Sequence, residues 1–339
     1  MRNLNRAVAD ELGWLIAHRS ALRVDHPLAP HTSLRVGGPA RYYVESKDSS
    51  ALGEALAAAT RDGVPVLTLG GGSNLLIADS GFEGLVIKHV AADYQVASDQ
   101  DGSGVLTAAS GATIASLARR LAREGWSGLE WAANVPGTIG GAAVNNAGAF
   151  DSCMAECLIG LAFLDSRATP VELSCAELSY EYRSSVLKRG ELGPLLVTTV
   201  RCKLHRDDPA AAVGRVADFQ RRRTATQPRQ LSAGSVFANP TGDFSGRLIE
   251  SAGLKRTRVG GAEISAQHAN FIVNVGGATA ADVYNLIRLA QEAVWAKSGM
   301  WLRPEIQLVG GWRPAQLAAL DGPPGERDAS PARAGRRTA

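Results

Sequence analysis

The chain has 339 residues, enough for two or three domains. Its 45% hydrophobic and 20% charged residues are ordinary for a globular enzyme, and a net charge of +3 is too weak to indicate a nucleic-acid partner. No apolar run reaches the roughly 20 residues of a membrane span. Asp10 and Glu11 interrupt the apolar N-terminus, which therefore lacks the pattern of a secretory signal. We predict a cytoplasmic protein.

The first 30 residues are predicted to form an amphipathic helix, from residue 4 to residue 18, and a lead-in that Pro27 and Pro30 break. Residues 31–206 alternate short strands with two clear helices. The strands or extended segments are predicted at 41–45, 64–69, 75–78, 85–88, 105–109, 158–165 and 195–204. The helices are predicted at 50–62 and 112–124, with a weaker one near Cys175.

A turn at Asp207, Asp208 and Pro209 predicts a domain boundary. Residues 210–312 are predicted to form a second domain with helices at 210–223, near 244–251 and at 280–298, and with strands at 270–275 and 305–309. Residues 313–339 are rich in Ala, Pro, Gly and Arg, and we predict a disordered tail.

The four cysteines are Cys153, Cys157, Cys175 and Cys202. A metal site would need further Cys or His ligands at suitable spacing, and none follows. We therefore expect reduced cysteines at core or half-buried positions, and no metal.

Two glycine-rich segments are candidates for binding a ligand through the backbone. The first, at residues 70–76, joins three glycines to the donors of Ser73 and Asn74, and its N–H groups suit an anion. The second, at 134–148, is rich in Gly and Ala. Together they fit a dinucleotide gripped from two sides. The alternatives are a plain turn for the first and close helix–sheet packing for the second; neither segment is a P-loop or a GxGxxG fingerprint.

Three polar residues are weaker candidates. Arg183 carries the forked donors that suit a carboxylate or phosphate, but this segment alone favours a solvated Arg on a surface loop. Ser235 follows small residues that expose a hydroxyl in a tight turn, although Phe237 excludes a G-x-S-x-G elbow. Glu305 opens the final strand, where carboxylates are usually solvated.

Taken together, these segments resemble the bacterial UDP-N-acetylenolpyruvoylglucosamine reductases (MurB), over residues 31–310 and with the spacing of the shorter subtype. The motifs that carry the resemblance are His31-Thr-Ser-Leu-Arg-Val-Gly-Gly-Pro-Ala, Leu69-Gly-Gly-Gly-Ser-Asn-Leu-Leu, Val135-Pro-Gly-Thr-Ile-Gly-Gly-Ala, Asn146-Ala-Gly-Ala, Tyr182-Arg-Ser-Ser, Ala233-Gly-Ser-Val-Phe-Ala-Asn-Pro, Gly246-Arg-Leu-Ile-Glu, His268-Ala-Asn-Phe-Ile-Val-Asn and Arg303-Pro-Glu. Two small departures are Ala238 and Phe150, where relatives often carry Lys and Tyr.

The resemblance implies an α+β fold. A two-part FAD-binding domain of the vanillyl-alcohol-oxidase (PCMH) type would span residues 31–206, and an α+β substrate-binding domain would span 210–312. The FAD contacts carried over are Gly70, Gly71, Gly72, Ser73, Asn74, Leu75, Pro136, Gly137, Gly141, Val144 and Gly148. The catalytic residues carried over are Arg183, Ser235 and Glu305, and the substrate-binding residues are Tyr182, Arg223, Asn239 and His268.

The resemblance also implies a reaction. NADPH reduces FAD, flavin N5 delivers hydride to C3 of the enolpyruvyl group of a UDP-sugar, and Ser235 gives a proton to C2. Arg183 and Glu305 would stabilise the charge that develops. The expected setting is peptidoglycan precursor synthesis by a monomer without nucleic-acid or membrane partners. The alternatives are a flavin-dependent oxidase of the same fold and a non-catalytic nucleotide-binding protein.

Overall fold

The structure is a computed structural model that describes residues 22–323. The predicted N-terminal helix and the predicted tail beyond residue 323 lie outside these residues. The strands are β1 Leu22–Pro27, β2 Pro39–Ser46, β3 Val66–Thr68, β4 Leu75–Ile77, β5 Phe82–His89, β6 Tyr94–Ser98, β7 Ser103–Ala109, β8 Trp126–Ser127, β9 Gly148–Ala149, β10 Ser152–Cys153, β11 Leu158–Leu164, β12 Pro170–Ser174, β13 Leu196–Arg206, β14 Leu231–Ser235, β15 Arg258–Val259, β16 Ala262–Ile264, β17 Phe271–Asn274 and β18 Gln307–Val309.

The helices alternate with these strands. They are α1 Ser49–Arg61, α2 Ile114–Arg123, α3 Ile139–Val144, α4 Met154–Cys157, α5 Pro209–Thr226, α6 Ser245–Ser251, α7 Ala280–Ser298 and α8 Pro314–Ala318, with 3₁₀ helices at Ala29–His31 and Glu130–Asn134.

The first sheet has the strand order β1-β2-β5-β3, with β2 and β3 parallel to β5 and β1 antiparallel to β2. Helix α1 covers it with the fully buried Leu52 and Leu56. Asp48 caps α1, because its carboxylate accepts from the Ser50 and Ala51 N–H groups. The predicted lead-in is wrong for residues 22–27, since β1 extends this sheet and Pro27 lies at the strand end, where a missing N–H is tolerated.

The second sheet is antiparallel, in the order β12-β11-β13-β7-β6, with β8 paired to β13. Its core includes the buried Leu106, Trp131 and Ile139 and is separate from that of the first sheet. The predicted helix near Cys175 is wrong. The Cys175 N–H donates to the Ile159 carbonyl and prolongs the sheet pairing, and the turn that follows is fixed by the Glu177 carboxylate on the Ser174 N–H.

The third sheet is antiparallel, in the order β14-β17-β16-β15, and packs against α6 and α7. Helix α7 has the predicted bounds, because a capping box of Thr279 and Asp282 starts it and Gly299, with φ +66°, ends it. Strand β18 then leaves this domain and pairs in parallel with β4. The segment after the first glycine-rich loop therefore lies beside the segment after Glu305.

Helix α5 packs on helix α2 and the 3₁₀ helix Glu130–Asn134, in the core of the second sheet rather than the third. Ala212 and Val216 are buried in the second core, and Arg215 donates to the Glu130 carboxylate at 2.7 Å. The predicted boundary at 207–209 therefore does not separate two hydrophobic cores. Helix α5 follows this turn in the sequence, but its apolar face packs into the core of the second sheet, which precedes the turn. The far end of α5 meets the third sheet's domain, where Gln267 Nε2 donates to the Thr224 and Ala225 carbonyls at 3.1 Å.

The first residues of the predicted disordered tail are ordered. Helix α8 follows Trp312, whose ring stacks on Tyr284, and Leu320 is buried in the third core. The Leu320 carbonyl accepts from Gln291 Nε2 and Trp301 Nε1. The prediction is therefore wrong for residues 313–323. The side chains of Tyr284, Gln291 and Trp301 bond to the backbone of this Ala- and Pro-rich segment and fix it.

The cysteines agree with the prediction from the sequence. All four are free, with Cys157 and Cys202 buried and Cys153 and Cys175 half-buried. Among residues 22–323 no helix combines the length and the apolar character that crossing a membrane would require.

Two histidines meet beside the first sheet. His26 Nε2 lies 2.9 Å from His31 Nε2, and the His26 ring stacks on the buried Tyr43 at 4.3 Å between centroids. Lys88 Nζ lies 3.2 Å from His31 Nδ1. Burial, and after it the neighbouring cations, lowers the pKa of both imidazoles. The native state therefore favours the neutral pair.

We expect this pair to make stability depend on pH. A histidine with a lowered native pKa binds its proton mainly in the unfolded chain, so the free energy of unfolding should decrease as the pH falls through about 6.5. Urea unfolding between pH 7.5 and 5.5 measures this slope. The His26→Gln, His31→Gln double variant should have a shallower slope, and an unchanged slope would contradict the role of the pair.

Candidate functional site

The two glycine-rich loops touch each other. Ser73 Oγ donates to the Pro136 carbonyl at 3.1 Å. A Cβ atom on Gly71 would lie 2.4 Å from Gly137 Cα, so neither backbone has room for a side chain at this point. Gly137 also has φ +104°, a conformation that L side chains rarely adopt. The sequence prediction of two loops that face one ligand is compatible with this contact.

Helix α3 begins directly after the second loop. Thr138 Oγ1 accepts from the Gly141 N–H at 3.2 Å and caps the helix. Gly140 packs on Ser110, where a Cβ would lie 2.7 Å from the Ser110 Cβ, and Ala142 and Ala143 are buried. Close packing of a helix on a sheet, the alternative from the sequence, therefore accounts for the small residues of α3. Gly137 is small for another reason, because it packs on Gly71 of the first loop.

Asn74 connects both loops to the final strand. Its Nδ2 donates to Asn145 Oδ1 at 3.1 Å and to the Glu305 carbonyl at 3.3 Å. The Gln307 N–H returns a hydrogen bond to the Asn74 carbonyl at 3.0 Å. Because β18 and β4 are paired here, Glu305 is held at the edge of the glycine-rich loops.

The loop that carries Arg183 is attached to the end of α3. Tyr180 Oη donates to the Ala143 carbonyl at 2.7 Å, and Ser185 Oγ donates to the Val144 carbonyl at 2.6 Å. Asn146 Nδ2 donates to the Glu181 carbonyl at 3.0 Å. These three bonds fix residues 180–185 against the helix that follows the second glycine-rich loop.

Arg183 and Glu305 form an ion pair. Arg183 Nε lies 3.1 Å from Glu305 Oε1, and the two side chains are 25% and 14% exposed. The Arg183 N–H is not aligned with the carboxylate, so Nε makes no hydrogen bond within the described structure. Burial raises the pKa of Glu305, while the charges of Arg183 and Lys188 oppose that increase. Glu305 therefore keeps a proton more readily than an exposed carboxyl does.

Ser235 lies in a cavity of about 480 Å³ between β14, α6 and the loop before β17. The residues that line it are Ser235, Asn239, Phe244, Gly246, Arg247, Glu250, Gln267, His268, Ala269 and Asn270. Three of these, Ser235, Asn239 and His268, are residues predicted from the sequence. The next carbonyl after Ser235, that of Val236, accepts from the Glu305 N–H at 2.8 Å. Positions 235 and 305 are therefore on adjacent segments.

Asn239 and His268 each have one polar atom occupied within the protein. Asn239 Oδ1 accepts from the Ser245 N–H at 3.1 Å, at the start of α6. His268 Nδ1 accepts from the Asn270 N–H at 3.2 Å. Burial, and after it the charge of Lys255, lowers the pKa of His268. Among residues 22–323, no group bonds to the Asn239 amide nitrogen or to His268 Nε2, so both can serve a ligand in the cavity.

Tyr182 and Arg223 do not line this cavity. Tyr182 is 61% exposed, and its ring centroid lies 5.7 Å from the Arg183 guanidinium carbon. Burial lowers the pKa of Arg223, near the end of α5, and no charged group in the described part of the chain offsets that effect. The structure thus places Arg183 and Glu305 in contact and Ser235 on an adjacent segment. Tyr182 and Arg223 lie outside the cavity.

Several residues of this region are not among the candidates from the sequence. Lys188 lies five residues after Arg183 in the same connection, and no local signal distinguishes it from a solvated lysine. Gln267 stands next to His268 in the sequence and lines the cavity. Phe244 is an exposed aromatic ring at the cavity edge, and only the structure reveals it.

Comparison with known proteins identifies the family. A family model described as FAD binding domain matches residues 40–174, and one described as UDP-N-acetylenolpyruvoylglucosamine reductase, C-terminal domain, matches residues 227–309. A Chloroflexus aurantiacus protein named UDP-N-acetylenolpyruvoylglucosamine reductase is 43% identical over 287 residues, 84% of this chain and 96% of the relative. The chain belongs to the UDP-N-acetylenolpyruvoylglucosamine reductase family.

Further relatives agree. A Synechococcus sp. protein of the same name is 43% identical over 301 residues, 88% of this chain and 97% of its own. The crystal structure of MurB from Thermus caldophilus is similar with a TM-score of 0.71 and 34% identity, over 85% of this chain and 99% of that one. The predicted family and the α+β fold, an FAD-binding domain followed by a reductase C-terminal domain, are confirmed. This chain is an oxidoreductase of that family.

Proposed function

We propose that the protein reduces UDP-N-acetylglucosamine enolpyruvate to UDP-N-acetylmuramate with NADPH, through FAD, as a monomer in cytoplasmic peptidoglycan precursor synthesis. The observation that supports this most directly is the junction of the three predicted catalytic positions. Arg183 contacts Glu305 at 3.1 Å, and the Glu305 N–H is bonded to the residue after Ser235. The relatives that share more than 40% identity carry the name of this reductase.

The glycine-rich loops fit FAD. Gly71 packs directly on the Gly137 backbone, and Ser73 bonds the two loops to each other, so their backbones form one continuous surface without side chains at this point. The residues that would hold the pyrophosphate are Gly70, Gly71, Gly72, Ser73, Asn74 and Leu75, and those beside the flavin and its ribityl chain are Pro136, Gly137, Gly141, Val144 and Gly148. Bound FAD would supply two-electron chemistry between NADPH and C3 of the enolpyruvyl group.

The side chains at the junction have separate roles in this proposal. Ser235 donates a proton to C2 of the enolpyruvyl group, which requires that its hydroxyl stay within hydrogen-bond reach of that carbon. Arg183 pairs with the substrate carboxylate through its outer nitrogens. Glu305, whose burial favours the protonated form, hydrogen-bonds the enol-like group. Fixed partners of this kind stabilise developing charge better than mobile water does.

The substrate-binding side extends from the cavity toward α5. Asn239 and His268 hold the sugar nucleotide from the cavity wall, and Tyr182 closes over it from the Arg183 loop. Arg223 binds a phosphate, for which a half-buried guanidinium is suited when no carboxylate in the described part of the chain pairs with it. NADPH uses the same cleft in alternation with the substrate, since the chain has no Rossmann fingerprint of its own.

A reductase assay tests the function. We expect the purified protein to show a flavin absorbance spectrum and to sustain repeated turnover of NADPH only when the enolpyruvyl UDP-sugar is present, with stoichiometric formation of UDP-N-acetylmuramate. NADH in place of NADPH tests the nucleotide preference. Steady formation of hydrogen peroxide with an alcohol substrate, and no dependence on the UDP-sugar, would instead favour a flavin-dependent oxidase and refute the proposal.

A further inference from the structure

Lys188 reaches back across the loop that carries Arg183. Its Nζ donates to the Arg183 carbonyl at 2.9 Å, and the side chain is half-buried. The other end of Lys188 is fixed, because its backbone N–H donates to Ser185 Oγ at 3.1 Å, and that hydroxyl is bonded to the Val144 carbonyl. The ammonium is therefore directed into the loop instead of lying in solvent.

Arg183 stands in a conformation that requires support. Its φ is +58°, in the left-handed region that a residue with a Cβ rarely adopts. Around it, the Glu181 and Ser184 backbones bond to each other at 3.1 and 3.2 Å and close a tight turn. Strained backbone of this kind persists only where surrounding contacts hold it. The hydrogen bond from the Lys188 ammonium to the Arg183 carbonyl is such a supporting contact.

Lys188 is also a charge at the site. The charged groups that act on Glu305 are Arg183 and Lys188, and both favour its ionised form against the effect of burial. Burial lowers the pKa of Lys188, and the charge of Glu305 opposes that decrease. The Lys188 ammonium is bonded to the carbonyl of Arg183, the residue whose guanidinium pairs with Glu305, so a second positive charge lies near this ion pair.

We propose that Lys188 is a positioning residue that holds Arg183 in its left-handed turn and supplies a second positive charge near the Arg183–Glu305 ion pair. Without this ammonium the Arg183 guanidinium would lose its fixed direction toward the substrate carboxylate. The proposal rests on the proposed function for its effect on turnover, but its effect on Glu305 does not require any substrate.

The test compares Lys188→Met, Lys188→Arg and the control Lys203→Met, which alters an exposed lysine on β13 outside the site. In Lys188→Met we expect kcat to fall roughly ten- to 100-fold with FAD content unchanged, because a charge-assisted hydrogen bond that positions the site is lost. The activity that depends on protonated Glu305 should extend to higher pH, since loss of a cation raises the pKa of the carboxyl. Lys188→Arg should restore the pH profile and most of kcat.

A second readout separates this proposal from the proposed function. Infrared titration of the FAD-loaded protein follows the Glu305 carboxyl band, which is identified by its loss in Glu305→Gln. The midpoint should move to higher pH in Lys188→Met and not in Lys203→Met, whether or not the UDP-sugar is reduced. An unmoved midpoint together with unchanged kcat would overturn the role of Lys188. Wild-type protein that titrates as expected but does not reduce the UDP-sugar would refute the proposed function alone.

Discussion

Replacement of Ser235 by alanine is expected to lower turnover of the enolpyruvyl substrate by about 10²- to 10⁴-fold, the range typical for loss of a positioned proton donor. The hydroxyl lies in the cavity, one residue before the carbonyl that binds the Glu305 N–H. Its loss removes the donor for C2 but leaves the glycine-rich loops and the Arg183 ion pair untouched. FAD content and flavin reduction by NADPH should therefore stay within about twofold of the wild type.

Stopped-flow absorbance separates the two halves of the reaction. Flavin bleaching by NADPH reports the first half, and flavin reoxidation by the UDP-sugar without oxygen reports the second. The matched control is Ser232→Ala, because Ser232 lies on the same strand, pairs with Val273 and does not line the cavity. Wild-type reoxidation in Ser235→Ala would refute the proton-donor role. An equal loss in both halves would indicate damage to the cavity instead of a lost proton.

The KM for the UDP-sugar gives an independent check. A hydroxyl that acts only as the proton donor contributes mainly to the transition state, so kcat should fall while KM changes little. Asn239 is the contrasting position, because its amide is proposed to bind the sugar nucleotide. Substitution of Asn239 by alanine should mainly raise KM, although its Oδ1 also holds the first N–H of α6.

The fold could be predicted where local chemistry decides it. Helix α7 was predicted to the residue, because Thr279 and Gly299 start and end it through caps that involve only near neighbours. Strand β1 was missed, because its partner is β2 and its own sequence reads as a proline-broken lead-in. The helix predicted near Cys175 failed for the same reason: pairing with β11 overrides a weak helical pattern.

The site could not be assembled from local sequence. Ser235 and Glu305 lie on adjacent segments because the final strand returns to β4 and because the Val236 carbonyl accepts from the Glu305 N–H. Both contacts join segments that are distant in the chain. Only the resemblance to a family made these residues candidates together. Lys188 was missed because a lysine at a loop end is normally solvated, and nothing in the sequence reveals that its ammonium turns back to Arg183.

Substitution of Gly71 by alanine is the second large effect that we expect. The new Cβ would lie 2.4 Å from Gly137 Cα and within 3.3 Å of the Gly137 C and N atoms, all of them backbone atoms that no rotamer change moves away. The two loops must separate, which breaks the bond from Ser73 to Pro136. Overpacking of this kind costs about 1–3 kcal/mol. If this strain exists only while the two loops are in contact, it weakens FAD binding by up to about 100-fold.

Equilibrium titration of the apoprotein with FAD, followed by flavin fluorescence, measures this effect. The matched control is Gly214→Ala on α5, where a Cβ meets open space and the helix should gain up to about 1 kcal/mol of stability. Because Gly71 lies in a loop that the apoprotein can relax, the free energy of unfolding without FAD should change less than the binding free energy does. Wild-type FAD affinity in Gly71→Ala would mean that the contact between the loops does not shape the cofactor site, and the assignment of FAD to these loops would then fail.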